Sequence, residues 1–155
     1  MFREMRKKER EMSKEDTVNL LKRAEFGVLS TISEDNTPYG IPLSFAYLDE
    51  TIYFHCAPEG HKLENITNNS NICFTVVDSV ELLPASFATK YKSAVVFGKI
   101  SVIENADEKR KGIMAILNKY SAEHYELGVK YINSAFDKMK VLKIEISRMT
   151  GKARL

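Results

Sequence analysis

The sequence of 155 residues contains no tryptophan and only two cysteines, three histidines, four prolines and seven glycines. Cys56 and Cys73 both lie in apolar runs, and neither has a Cys or His neighbour at zinc-ligand spacing. We therefore expect two reduced, buried thiols and no metal site. No apolar run approaches the roughly 20 residues that span a bilayer, and the charged N-terminus lacks the apolar segment of a signal peptide. A cytoplasmic protein without a membrane anchor is expected.

The short motifs of the common hydrolase, protease and nucleotide-binding classes are missing as well. There is no GxSxG, HExxH, P-loop or GxGxxG pattern, and no Ser/His/Asp set can be nominated. If the protein is an enzyme, its chemistry therefore has to come from a bound cofactor.

Charge and hydrophobicity are ordinary for a folded domain. The formal net charge is +2, and 44% of the residues are hydrophobic, enough for a core in one domain spanning residues 1–155. The basic excess lies in residues 1–14 and 143–155, and residues 1–12 form a charged N-terminal arm that we expect to be ordered only by packing on a partner. Aromatic residues fall inside apolar strand patterns instead of basic patches, so no nucleic-acid partner is expected.

Periodicity predicts a mainly β protein with helices between some of the strands. Ser13 has the character of an N-cap, and Thr17, Leu20, Leu21 and Ala24 follow at helical spacing. Strands of alternating pattern are predicted at 26–33, 39–48, 51–56, 71–77, 91–103 and 141–147, with helices at 60–69, 107–120 and 123–135 and a connection without periodicity at 78–90. Mostly tight turns join these six strands, which favours a six-stranded antiparallel β-barrel decorated with helices.

The segment from Tyr53 to Leu63 predicts an anion-binding turn. An apolar strand leads through Pro58 and Gly60 into a helix that begins with His61 and Lys62. A lysine in the first helical turn opposes the helix dipole unless an anion such as phosphate sits on that terminus. A solvated surface lysine is an equally good explanation from the local pattern alone. His61 either assists the phosphate or points into an active cavity as a donor or nucleophile.

Two further segments have the composition of walls for a flat heterocycle. Pro42 removes one ladder donor from its strand, Ser44 supplies a hydroxyl, and Leu43 is placed to pack on a ring. His55 lies on the strand face opposite Cys56, either as a ligand contact or as a half-buried, hydrogen-bonded histidine. Residues 91–99 combine small residues with Gly98, which suits the wall of a narrow slot and indicates a bulge or a close backbone approach.

Taken in order, six blocks resemble the pyridoxamine 5'-phosphate oxidase-like FMN-binding flavoproteins, and within them the nitroimidazole-resistance branch. The blocks are residues 5–11, 27–31, 38–45, 53–62, 91–99 and 150–152, of which Phe-His-Cys-Ala-x-x-Gly-His-Lys at 54–62 is the most specific. The resemblance implies a split β-barrel homodimer with FMN at the subunit interface. It implies a cofactor-binding set made of Pro42, Leu43, Ser44, His55, Cys56, Ala57, Gly60, His61, Lys62, Ser93, Ala94 and Val95.

Within that set the resemblance gives different roles to different positions. Lys62 and His61 would hold the FMN phosphate, and residues 55–57 would line the flavin. Leu43 and Ser44 would edge the ring, and residues 93–95 would complete the pocket, either from the same chain or from the partner subunit. Motifs for pyridoxamine phosphate are not evident, so that activity is not expected.

The function that follows is an FMN-dependent oxidoreductase of the nitroimidazole reductase type. NADH or NADPH would be the electron donor and a small aromatic molecule the acceptor, with His61 the one candidate for a catalytic side chain. The alternatives are a non-catalytic flavin-binding or redox-sensing module, and a haem-binding relative that uses His124 as an axial ligand.

Overall fold

The computed structural model describes residues 2–155, which form seven β-strands and four α-helices, with three short 3₁₀ turns. The strands are β1 (Gly27–Ile32), β2 (Pro38–Leu43), β3 (Ala46–Leu48), β4 (Thr51–Cys56), β5 (Asn71–Leu83), β6 (Ala88–Val102) and β7 (Lys140–Arg154). The helices are α1 (Lys14–Arg23), α2 (His61–Asn68), α3 (Ala106–Tyr120) and α4 (Tyr125–Ala135).

Local sequence explains where two of the helices begin. The Ser13 hydroxyl accepts a hydrogen bond from the Asp16 N–H at 3.0 Å, and the Asn105 side chain caps α3 in the same way through the Glu108 N–H at 2.9 Å. The predicted N-cap at Ser13 is confirmed. The buried stripe of α1 is also confirmed, since its apolar positions are almost fully buried.

All seven described strands belong to one antiparallel sheet in the order β2-β1-β5-β6-β7-β4-β3. The expected count of six strands is wrong because the segment 39–48 is two strands, β2 and β3, on opposite edges of the sheet. The break falls at Ser44 and Phe45, two residues after Pro42, which has no N–H for a ladder. Phe45 instead donates its N–H to the Tyr120 hydroxyl at 2.9 Å.

The expected barrel is an open sheet within the described residues, because β2 and β3 are not hydrogen-bonded to each other. These edge strands are nevertheless joined by Ser44 and Phe45 alone, so the sheet has to curl until its two edges lie a short link apart. Pro42 lies on an edge strand, where a residue without an N–H is tolerated. The fold is a mainly antiparallel sheet with helices, as predicted at that coarser level.

The segment 78–90 is also different from its prediction, because it is mostly strand. β5 continues to Leu83 and β6 begins at Ala88, so that Glu81 pairs with Lys90. An irregularity between Asp78 and Glu81 shifts the register and interrupts the alternation that sequence reasoning depends on. β7 likewise runs beyond the predicted end at 147, since its ladder with β6 continues to Arg154.

Gly98 shows why the β6–β7 ladder is irregular at its middle. The register shifts between Phe97 and Gly98, and a Cβ on Gly98 would lie 2.3 Å from the Glu145 carbonyl oxygen. The predicted bulge or close approach at Gly98 is therefore confirmed.

Two clusters of buried side chains lie on the two faces of β4. Phe54 and Cys56 belong to the larger cluster, which lies inside the curled sheet and packs against α1 and α2. Tyr53 faces the smaller cluster, which packs α3 and α4 on the outside of β3, β4 and β7. None of the helices in residues 2–155 is long and apolar enough to cross a membrane.

The N-terminal arm lies along its own chain. Residues Lys8–Arg10 form a 3₁₀ turn, Glu11 bridges to Lys152 on β7, and the Met12 N–H donates to the Gly151 carbonyl at 2.9 Å. The surface that orders this part of the arm is therefore β7 of the same chain, where a partner was expected.

Candidate functional site

The turn between β4 and α2 exposes two backbone donors. Gly60 has φ of 139°, a conformation that favours glycine, and nothing lies within 4 Å of the position a Cβ would take. Its carbonyl accepts from the Leu63 N–H at 2.9 Å. The N–H groups of His61 and Lys62, the first two of α2, have no acceptor among the described residues. The turn therefore presents two free donors at the positive end of a helix.

The two basic side chains of this turn have different surroundings. His61 is exposed, its Nε2 lies 3.1 Å from the Ser33 hydroxyl, and its ring stacks on Tyr39 with centroids 4.1 Å apart. Lys62 is half-buried and makes no ion pair within residues 2–155. Burial raises the pKa of the Cys56 thiol, and the positive charge of Lys62 opposes that rise. Lys62 is therefore a cation without a carboxylate partner beside two free N–H groups.

A buried hydrogen bond fixes the helix behind the turn. The Asn65 side-chain amide donates to the Thr31 hydroxyl at 3.0 Å, and that hydroxyl donates to the Tyr39 carbonyl at 3.3 Å. Both side chains are almost fully buried. Leu63 and Ile66 pack into the larger core. The direction in which α2 points its N-terminus is thus held by β1 and by the core together.

An apolar cavity of about 720 Å³ lies on the other face of β4, under α3 and α4. Its walls come from the strand ends, both helices and the segment between them: Ser44, His55, Ile113, Ile116, Leu117, Tyr120, Ser121, His124, Leu127, Gly128, Tyr131, Ile132 and Met139. Alternation along β4 places His55 on this face and Cys56 on the core face, as predicted. His55 is solvent-exposed as a residue, and partial desolvation of its imidazole lowers its pKa, which favours the neutral form.

The link between the two sheet edges is clamped by the end of α3. The Tyr120 hydroxyl contacts both the N–H and the carbonyl of Phe45 and donates to the Glu25 carbonyl. The Lys119 ammonium donates to the Phe45 carbonyl at 2.9 Å and lies 3.8 Å from the centre of the Phe45 ring. Desolvation lowers the pKa of Lys119 to about 8. The backbone beside Ser44 is therefore held from the helical side.

The structure divides the predicted site residues into separate groups. Ser44 and His55, which are distant in sequence, border one cavity, whereas Gly60, His61 and Lys62 form the turn beyond the end of β4. Pro42 and Leu43 end the edge strand β2, and Ala57 follows β4 as an exposed residue. The side chains of Cys56 and Ala94 point into the core, and Ala94 also lies on a central strand that is paired with β5 and β7 on its two sides.

Residues 93–95 are not brought to the cavity within one chain. They lie in the middle of β6, where they pair with residues 150–152 of β7. None of them lines the cavity. Pro42 and Val95 lie in one cross-strand row with Val28 and Thr75, but β1 and β5 separate their strands.

Sequence reasoning missed the cavity wall formed by α4 and the clamp on Phe45. Leu127 and Tyr131 carry no motif, and they become wall residues only because α4 folds back against α3. Lys119 fits the ordinary preference for a cation at a helix C-terminus, so the sequence gives no signal that its side chain reaches the Phe45 carbonyl. Within residues 2–155 no cluster of His, Cys, Asp or Glu has the arrangement of a metal site.

Comparison with known proteins adds to this geometry. Residues 13–153 match the family model described as pyridoxamine 5'-phosphate oxidase. A search of curated protein sequences found no match. Among solved structures, a candidate 5-nitroimidazole antibiotic resistance protein from Bacteroides thetaiotaomicron is similar with a TM-score of 0.80 and 27% identity, over 92% of this chain and 86% of that one.

Two more distant structures have the same fold. An FAD-binding protein from Mesorhizobium loti is similar with a TM-score of 0.65 and 21% identity, over 94% of this chain and 98% of that chain. An FAD and haem binding protein from Mycobacterium smegmatis is similar with a TM-score of 0.73 and 18% identity, over 91% of this chain and 71% of that chain.

Proposed function

The chain belongs to the pyridoxamine 5'-phosphate oxidase family, and from this we propose that it is an FMN-dependent oxidoreductase that reduces small aromatic acceptors. The observation that carries the proposal is the turn at Gly60–Lys62, where two N–H groups and a lysine without partners in residues 2–155 meet at a helix N-terminus. A phosphate monoester is the ligand that such a terminus and cation favour. The similarity to a candidate nitroimidazole resistance protein supports an aromatic acceptor.

The residues present fit FMN at its phosphate end. The open space at Gly60 admits a phosphate oxygen close to the backbone, and Lys62 supplies a charge that no carboxylate neutralises among the described residues. His61 can add a hydrogen-bond donor through its other ring nitrogen, because the Ser33 hydroxyl contacts Nε2. When bound, FMN would supply the transfer of electrons between a nicotinamide and the acceptor.

The chain's own residues position the reactants and exclude water. Ser44 and His55 border the apolar cavity beside the end of β4, and Tyr120 fixes the backbone next to Ser44. The net reaction with a nitro compound would consume NAD(P)H and a proton, convert the nitro group to a nitroso group and release water. No acid–base dyad is required of the protein, in keeping with the absence of known catalytic motifs.

Exposed apolar side chains support a homodimer with the cofactor at its interface. Val77, Val80, Leu82 and Phe87 lie on β5 and at the tip of its hairpin with β6, and the exposed fractions of Leu82 and Phe87 are 70% and 98%. Residues 93–95 are away from the cavity of their own chain, which leaves them free to reach the site of a second copy. Light scattering on the purified protein tests this assembly, and a Leu82→Glu variant should shift it towards monomer.

The test of the function has two stages. The purified protein should show flavin absorption bands, and NADH or NADPH should bleach them under anaerobic conditions. A 5-nitroimidazole added next should restore the oxidised spectrum and be consumed. Bound flavin that neither nucleotide reduces would overturn the enzymatic proposal and leave a flavin-binding module.

Haem binding is a second candidate, because His124 lines the apolar cavity together with His55. Titration with hemin tests this alternative. A Soret band that disappears in a His124→Ala variant would support it, and an unchanged hemin spectrum would exclude it.

A further inference from the structure

We propose that the cavity between α3, α4 and β4 binds an uncharged, flat aromatic molecule and excludes its anionic analogues. If the proposed function holds, this molecule is the acceptor, so the identification as acceptor rests on that function while the binding site does not.

The size and walls of the cavity fit a small aromatic ligand. A volume of about 720 Å³ lies in the range typical of small-molecule sites. Ile113, Ile116 and Leu117 form an apolar floor on α3, and Tyr120 and Tyr131 contribute rings. Rings and branched aliphatic side chains together stabilise a flat apolar ligand through burial and aromatic contacts.

The charge of the walls selects against anions. None of the described residues lining the cavity is Lys, Arg, Asp or Glu. Lys119 is nearby but does not line the cavity, and its ammonium donates to the carbonyls of Phe45 and Leu21. A carboxylate or phosphate moved into this cavity would therefore lose its hydration without gaining a partner charge. Partial desolvation favours neutral His55, which strengthens the same selection.

A few polar groups remain to orient a neutral ligand. Ser44 and His55 lie at the sheet side of the cavity, and Ser121 and His124 lie between the two helices. Ser44 and His55 also belong to the residues predicted to line a flavin. A ligand in the cavity would thus lie beside that predicted ring site, where an acceptor has to be.

The test uses a matched pair of ligands with the full-length protein. 4-Nitrotoluene and 4-nitrobenzoate share a ring and a nitro group and differ in charge. Binding is measured by saturation-transfer NMR and calorimetry at neutral pH. The neutral compound should bind at least about tenfold more tightly, because the carboxylate cannot be compensated.

A matched pair of variants locates the site. Leu127 is 69% exposed and lines the cavity, whereas Tyr125 is 48% exposed on the same helix and does not. Both tolerate a charge structurally because they are exposed. Leu127→Asp should weaken 4-nitrotoluene binding by about tenfold or more, and Tyr125→Asp should leave it unchanged, with equal flavin content in both.

Equal affinity for the two ligands, or equal affinity in wild type and Leu127→Asp, would overturn the proposal. So would hemin that enters the cavity, displaces 4-nitrotoluene and depends on His124. If the protein carries no flavin, the proposed function fails, but the ligand and variant comparisons still decide the cavity proposal because every wall residue named is on this chain.

Discussion

The turn at Gly60–Lys62 and the cavity under α3 and α4 lie at the same end of β4, yet they differ in polarity and in charge. The turn is polar and positively charged, and it offers backbone donors and one lysine. The cavity is apolar, and no charged side chain of Lys, Arg, Asp or Glu lines it among the described residues. This pair of regions suits a cofactor whose phosphate binds in the turn and an uncharged reactant that binds in the cavity.

The two regions are joined by little more than β4 and the Ser44–Phe45 link. Near the end of β4, the His55 side chain faces the cavity, and the Cys56 side chain faces the core next to the turn. Changes in the turn should therefore affect phosphate binding, and changes in the cavity should affect the neutral ligand. A substitution that changes the affinity for only one of the two ligands supports two separate binding regions. A substitution in one region that changes both affinities equally would contradict it.

The largest expected effect is on cofactor affinity in a Lys62→Ala variant. Loss of a charge-assisted hydrogen bond to phosphate costs about 1.5–3 kcal/mol, so FMN should bind about 10- to 100-fold more weakly. Quenching of flavin fluorescence measures the affinity. Lys130→Ala, at an exposed lysine on α4, is the control and should bind FMN like the wild type. Wild-type affinity in Lys62→Ala would show that the lysine is a plain surface residue.

The next effect concerns the support of the turn. Asn65→Ala removes the buried hydrogen bond to Thr31 and should lower the free energy of unfolding by about 1–2 kcal/mol. Asn68→Ala, at an exposed position of the same helix, should change it little. Urea unfolding measures both variants. Equal stability of the two would mean that α2 is held by its apolar face alone.

A smaller effect is expected where the two regions meet. Tyr120→Phe removes the hydroxyl that accepts from the Phe45 N–H and should cost about 1 kcal/mol of unfolding free energy. The variant keeps the ring that lines the cavity, so the binding of the neutral aromatic ligand should change little. FMN affinity should be less affected than in Lys62→Ala. An unchanged unfolding midpoint would show that the hydroxyl does not stabilise the link.

The smallest effect is a pH dependence that comes from His55. Its pKa is lowered by partial desolvation from the ordinary value of 6.5, so the unfolded chain binds more protons than the folded chain below about pH 6.5. Stability is therefore lost as the pH falls through that range. NMR titration of the imidazole should show the lowered pKa, and His55→Gln should remove part of the slope. A His55 pKa above 6.5 would contradict this desolvation.

The comparison also shows what a sequence can predict here. The turn is local, since a strand, Pro58, Gly60 and the start of α2 follow one another, and the sequence therefore predicted where the helix begins. The cavity is not local, because its walls come from the link after β2, the end of β4 and two helices more than 50 residues further along the chain. Periodicity predicted the helix at 107–120 that carries Ile113, Ile116 and Leu117, but it could not say that a cavity would remain beside them.

Edge strands and irregularities account for the errors in the fold. The sequence from 39 to 48 alternates throughout, and only the pairing of β3 with β4 reveals that it divides at Ser44. The register shift after Asp78 concealed the second half of β5. The assignments of residues 42–44, 55–57, 60–62 and 93–95 to a cofactor remain predictions, and so does the partner subunit.

The most direct test of the central claim is a comparison of FMN with riboflavin, which lacks the phosphate. If the turn anchors that phosphate, wild-type protein should bind FMN about 100-fold more tightly than riboflavin, as expected for about 3 kcal/mol of charge-assisted contacts. In Lys62→Ala the preference for FMN should fall to about tenfold or less, because the backbone N–H groups of the turn remain. Equal affinities in the wild type, or the same preference for FMN in both proteins, would contradict phosphate anchoring at Gly60–Lys62.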